Sequence, residues 1–202
     1  MQITSQVIIV CEVIFMNYAK YKSIRDGAWQ CLIDCNVTAL PVPIGMMSAH
    51  YGLRIVHNSE IPILRNGESG RLILGQRPAI VVRDTEPAQR LRFTIAHELA
   101  HYLLGHLGDD ISALSRSNVR YPQEQEADMF AARLLMPACV LWALDLHTPE
   151  EIAINCNVSL SAATARAKRM EVLYRRNAFL TSPAERQFYQ QMQDFIVQKT
   201  KL

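Results

Sequence analysis

Residues 93 to 106 read FTIAHELAHYLLGH, a stretch holding three of the chain's six histidines and a glutamate. On an α-helix, residues four apart are separated by about 40° in azimuth and roughly 6 Å along the axis, so His97 and His101 would project side by side and could share one cation. Glu98, about 100° round from His97, would lie beside that ion, within reach of a water held on it. Neutral imidazoles make a borderline-soft donor pair suited to zinc, and a zinc ion with an open coordination position lowers the pKa of its water toward about 7. Glu98 could then take the water's proton during attack on a carbonyl and pass it to the leaving amine. A His-Glu-x-x-His match arises by chance in roughly one chain in a hundred of such composition. Its context argues against chance: it sits in a capped helix after a strand-rich stretch, where polar groups on a buried face are costly unless paired.

A catalytic zinc site usually has three protein ligands. His106 is close in sequence, but the spacing HExxHxxGxxH would need glycine at 104 and histidine at 107, and the chain has Leu104, Gly105 and His106. The segment EQEADMFAARLLMP, 124 to 137, offers Glu124 and Asp128 on one helix face, with Glu126 pointing elsewhere. Glu124 would complete a two-histidine, one-glutamate set, with Glu126 and His106 as the competing ligands. Asp128 could accept the free N–H of a ligating histidine and so fix its tautomer. The plain alternative is an acidic helix start favoured by the macrodipole. Tyr102, His106 and Tyr121 are candidate donors to an oxyanion, a role the residue pattern does not assign among them.

Positioning these groups requires a helix ahead of a loop and a second helix. DTEP, with Asp84 or Thr85 as N-cap and Pro87 in the first turn, starts a helix expected to run from Ala88 to about His106. Gly105 and Gly108 end it, DDISALSRSNVRYP reads as a loop, and a second helix is expected from Gln123 to Met136, stopped by Pro137. Upstream, Tyr18, Tyr21, Ile24, Ala28, Cys31, Leu32 and Cys35 recur at helical spacing, ALPVPIG breaks that helix, and a short helix over Met46 to Tyr51 is followed by Gly52. LRIVH, RLILG and AIVVR, separated by turn-like segments, predict a small antiparallel sheet. The expected class is α+β: that sheet packed on the HExxH helix and a second metal-ligand helix, with a helical C-terminal segment.

RFTIAHELAHYLLGH followed by EQEADMFAARLLMP resembles the ImmA/IrrE family of bacterial metallo-endopeptidases, and LPVPIGMMSAHYGLRIV is similar to that family's N-terminal helix and first strand. The resemblance spans roughly residues 16 to 175. It implies a compact gluzincin-like core and one zinc ion held by His97, His101 and Glu124, with Glu98 catalytic. It also implies a protein substrate, a DNA-bound helix-turn-helix repressor often encoded on the same mobile element or prophage. Ala100 stands where many members have glycine, harmless in a helix, and Asp128 where asparagine is common, which keeps the hydrogen-bonding capacity.

The bulk numbers bound the rest. At 202 residues, half of them apolar, the chain can bury one sizeable core, and a formal net charge of +2 is too mild to announce a nucleic-acid or acidic-membrane partner. Five scattered cysteines without a CxxC pair suit reduced core thiols in a cytoplasmic protein. The apolar run from Val7 to Phe15 is short, is interrupted by Glu12 and has no preceding Lys or Arg, so it fails as a signal or a membrane span. Met16 opens a natural-looking amphipathic start, and residues 1–15 are expected to be a non-native or disordered extension. The expected organisation continues as a metallopeptidase core over 16–140, a helix-turn-helix-like segment over 141–180 and an amphipathic tail over 181–202.

Within 148 to 170, TPEEIAINCNVSLSAATARAKRM has helix-turn-helix spacing, with Asn157-Val158-Ser159 at the turn. Arg166, Lys168, Arg169, Arg175 and Arg176 could face phosphates, although helices packed on the core with solvated cations account for the same pattern. Three readings follow: a zinc endopeptidase binding an extended peptide along a sheet edge, a DNA-associated regulator with a structural or vestigial zinc, and a zinc hydrolase of a non-protein amide.

Overall fold

The computed structural model describes residues 18–106 and 122–201. The expected N-terminal extension, Tyr121 and all but the last residue of the expected loop after Gly108 lie outside the described residues. In chain order the elements are α1 (Tyr18–Asp34), α2 (Ile44–His50), β1 (Arg54–His57), β2 (Gly70–Ile73), β3 (Ala79–Val82), α3 (Ala88–Leu103), α4 (Pro122–Leu135), α5 (Ala138–Ala143), α6 (Pro149–Cys156), α7 (Leu160–Arg175), α8 (Pro183–Gln191) and α9 (Gln193–Thr200).

The fold is α+β, with a helical C-terminal segment, and its sheet corrects the expectation in one respect. The strand order is β1-β3-β2; β2 and β3 are antiparallel, but β1 and β3 are parallel, so the sheet is mixed. The 58–69 connection is too long for a tight hairpin, so β1 and β2 need not be neighbours. The all-apolar strand β3, buried at every position, takes the centre, where both faces of a strand are covered. Ile80 and Val82 point into the main core, while Ala79 and Val81 close a small second cluster with Val56.

The main core lies between helices. It draws Ile24, Ala28 and Leu32 from α1, Ala96 and Leu99 from α3, and Phe130 and Leu134 from α4. Helix α4 packs on both α3 and α1. Buried alanines, Ala96 and Ala100 on α3 and Ala127 and Ala131 on α4, keep these helices slim where they meet. The residues expected as an amphipathic tail form α8 and α9, whose apolar stripe Phe188, Met192 and Ile196 joins the same core; the rings of Trp29 and Phe188 lie 5.7 Å apart.

Helix α2 starts at Ile44 rather than Met46, and both ends of α3 differ from the sequence reading. The N-cap of α3 is Pro87, without a side-chain cap. Asp84 instead accepts the Ser59 N–H at 2.8 Å and pairs with His57 Nδ1 at 2.7 Å, tying the end of β1 to the turn before α3. Helix α3 stops at Leu103 rather than His106, because Gly105 takes a left-handed conformation with φ of 71° and turns the chain back. Asn157 is left-handed between α6 and α7, as the helix-turn-helix spacing required, and a Thr148–Glu151 capping box starts α6. Cys31, Cys139 and Cys156 are buried, and burial pushes the thiols of Cys31 and Cys156 up to about 12, as expected of core thiols. Among the described residues, no helix is long and apolar enough to cross a membrane.

Candidate metal centre

The buried stripe of α3 runs through Ile95, Ala96, Leu99 and Ala100, which leaves His97, Glu98 and His101 beside the cleft. On α4, burial of Ala127, Phe130, Ala131 and Leu134 leaves Glu124 and Asp128, one turn apart, at the same cleft. Periodicity in each helix selects the face; packing of one helix on the other brings the faces together.

His97 Nε2 lies 3.0 Å from His101 Nε2 and 3.3 Å from a Glu124 oxygen, and His101 Nε2 lies 3.5 Å from the other Glu124 oxygen. A tetrahedral cation with ligand distances of about 2.0–2.1 Å separates its ligand atoms by about 3.3 Å, so these three side chains fit one small divalent ion. They form a group that can hold a metal. Neither Glu126 nor His106 belongs to it.

The far sides of both imidazoles are engaged. His97 Nδ1 lies 3.0 Å from Asp128 Oδ1, the contact the sequence anticipated; with a proton on Nδ1 alone, Nε2 would be free to face a cation. His101 Nδ1 lies 3.2 Å from His106 Nδ1, and His106 Nε2 lies 3.0 Å from Glu126 Oε2. Glu126 Oε1 in turn pairs with the Lys20 ammonium at 2.6 Å. One proton arrangement frees His101 Nε2: His101 donates from Nδ1 to His106 Nδ1, and His106 donates from Nε2 to Glu126. Glu126 does point away from the ligands, but it holds His101 at one remove, which sequence reasoning missed. The available signals were an acidic residue inside an apolar run and a histidine just after a helix-ending glycine. With both nitrogens so used, His106 is not placed to donate to an oxyanion, and Tyr102 packs against the core.

The electrostatics call for positive charge. Burial disfavours the charged form of His97, yet Asp128 and Glu124 outweigh it and raise its pKa to about 10. Burial, then the neighbouring His97 charge, lowers the pKa of His101. The hydrogen bond from His97 lowers that of Glu124. A divalent cation meets the same demand without the imidazole proton. Burial raises the pKa of Glu98.

Glu98 is also fixed by the sheet. The Leu72 N–H of edge strand β2 donates to Glu98 Oε2 at 2.9 Å. That reach depends on Gly70, where an added Cβ would fall 2.3 Å from Thr94 Cγ2 and 3.2 Å from the Val81 carbonyl. Gly70 was not singled out from sequence, since nothing local marks a close approach. The cleft encloses about 1950 Å³, well above the roughly 300–1,000 Å³ of a small-molecule pocket, and has room for a stretch of polypeptide.

The basic cluster expected on α7 is split. Arg166 is buried and donates to the Met136 carbonyl, and Arg169 donates to the Tyr21 hydroxyl, while Lys168, Arg175 and Arg176 are exposed. Of the five cations that could have faced phosphates, two therefore face the protein.

The family model described as the IrrE N-terminal-like domain, of the M78 peptidases, matches residues 52–168. The chain matches none of the curated proteins. Among solved structures, a Mycobacterium tuberculosis transcriptional regulator is similar, with a TM-score of 0.51 and 13% identity over 72% of this chain and 46% of that one. The likeness is one of fold, and the chain spans about half the length of that regulator.

Proposed function

The chain belongs to the IrrE N-terminal-like domain family, a metallopeptidase family, and on that premise we propose that it is a zinc-dependent endopeptidase acting on a DNA-binding regulatory protein. The substrate class implied by the sequence resemblance is a helix-turn-helix repressor. The observation that carries the reading is the meeting of His97 Nε2, His101 Nε2 and the Glu124 carboxylate at tetrahedral ligand spacing, with Glu98 next to them on α3. Two imidazoles and a carboxylate suit zinc better than magnesium or calcium, which prefer oxygen ligands. Bound there, zinc would polarise a peptide carbonyl and draw the pKa of a water toward neutrality.

The chain's own groups supply the rest. Glu98, held by the Leu72 N–H, takes the proton from the attacking water and returns it to the leaving nitrogen. Its raised pKa suits a carboxylate that must both accept and give a proton. Since the Leu72 N–H points away from β3, alternate backbone groups of β2 face the cleft, and an extended substrate segment can add to that edge.

The test is Glu98→Gln, which leaves the three ligands in place. The expected result is one zinc per chain by elemental analysis and a loss of about 10²–10⁴-fold in cleavage of a helix-turn-helix repressor encoded beside it. A second reading, a DNA-associated regulator with a structural zinc, draws on the α6–α7 helix-turn-helix geometry and on the fold shared with a transcriptional regulator. If Glu98→Gln retains full biological effect, this binding reading replaces the enzymatic one.

A further inference from the structure

The cleft continues past Asp128 as a groove between α4 and α7, with Met129, Ala132 and Ala165 along it. Arg133, Arg166 and Arg169 line the same groove. The guanidinium carbons of Arg133 and Arg169 lie 4.8 and 5.6 Å from the centre of the Tyr21 ring. Arg133 and Arg166 are 8% and 6% exposed.

Among the described residues, these three cations meet without a carboxylate. Arg133 donates to the Met129 carbonyl at 2.8 Å, Arg166 to the Met136 carbonyl at 2.9 Å, and Arg169 to the Tyr21 hydroxyl. Among the described residues, none of the three forms an ion pair. Carbonyls and a phenol satisfy N–H groups but bring no negative charge, and buried like charges repel. The strain shows in Arg166: burial, then the charge of Arg133, pushes its pKa down to about 10, which still leaves it charged at neutral pH. A guanidinium fork binds a carboxylate through two parallel hydrogen bonds, and a carboxylate would supply the charge this groove lacks.

We propose that the groove between α4 and α7 is a substrate subsite in which Arg133, Arg166 and Arg169 receive the carboxylate of an aspartate or glutamate of the bound polypeptide. The inference rests on the peptidase reading and adds a substrate feature to it. Glu124 and Arg133 are nine residues apart on α4, about 13.5 Å along the helix axis and about half a turn round it, so an extended peptide needs at least about four residues to pass from one to the other. The acidic residue therefore sits at least about four positions from the scissile bond.

Two readouts test this, one independent of catalysis. In the first, the zinc-loaded full chain carrying Glu98→Gln is titrated with fluorescein-labelled capped decapeptides that differ only by Glu or Gln at successive positions. Glu should bind at least about fivefold tighter than Gln at one position; adding Arg169→Gln should reduce the difference to within about twofold, and Arg169→Lys should retain part of it. Arg169 is only half-buried, and the Glu-against-Gln comparison in the parent needs no change at the groove. In the second, the active chain digests a mixed peptide library, and acidic residues should be enriched at one fixed position at least about four residues from the cuts. Glu preference without cleavage would sink the peptidase reading and keep the subsite. Cleavage with equal Glu and Gln binding and no acidic enrichment would sink the subsite and keep the peptidase. Duplex DNA displacing the Glu peptides, or full discrimination surviving Arg169→Gln, would also overturn it.

Discussion

Glu126→Gln tests whether a carboxylate two side chains away governs metal affinity. The substitution keeps size and leaves an amide oxygen to accept from His106, but it removes the charge that makes His101 a stronger ligand through His106. Replacing an outer partner of a metal ligand costs about 10–100-fold in affinity. Asp128 touches His97 directly at 3.0 Å, so Asp128→Ala should fall near the upper figure of about 100-fold. Glu126 acts through a neutral imidazole, so Glu126→Gln should fall near tenfold, about 1.4 kcal/mol. Zinc affinity is measured at pH 7 by competition with a chromophoric chelator, with circular dichroism as the check on folding. The path itself is tested by a double-mutant cycle: in a His106→Ala background, Glu126→Gln should have almost no further effect. Equal zinc affinity in Glu126→Gln and the parent, or an undiminished effect once His106 is gone, would refute the relay.

Gly70→Ala forces a Cβ to within 2.3 Å of Thr94 Cγ2, so β2 must lift from α3; a cost of about 1–3 kcal/mol in urea unfolding is expected, with cleavage falling further because the Leu72 N–H leaves Glu98. Phe188→Ala should cost about 3–5 kcal/mol in the same assay, since its ring is fully buried against Trp29. Truncation before Pro183 should then unfold the chain, and a folded, zinc-binding truncation would show that α8 is dispensable. Dialysis against a chelator should abolish cleavage and lower the melting temperature, restored by zinc, because an ion bound only by the native state stabilises it by RT ln(1 + [L]/Kd). An unchanged melting temperature would show that no such ion is held.

How much was legible follows from the range of each interaction. The pairing of His97 with His101, the position of Glu98 beside them and the shared face of Glu124 and Asp128 are consequences of helical period, which acts over one turn and is written in adjacent residues. Helix existence and the strand runs were legible for the same reason, from apolar spacing, proline and glycine. Among the features that escaped are the parallel pairing of β1 with β3, the press of Gly70 on Thr94, and the inward turn of Arg166 and Arg169. In each, a residue's partner lies far along the chain; Arg169 meets Tyr21 across 148 positions.

Glu126 illustrates the division. Its face on α4 could be read from sequence, and it does turn away from His97, His101 and Glu124. What waits there, His106 turned back by Gly105 and Lys20 of α1, was decided by how three helices pack. Local sequence selects which side chains share a surface, because backbone geometry repeats every few residues. Only the packed core selects what that surface meets, because burial is a property of the whole chain.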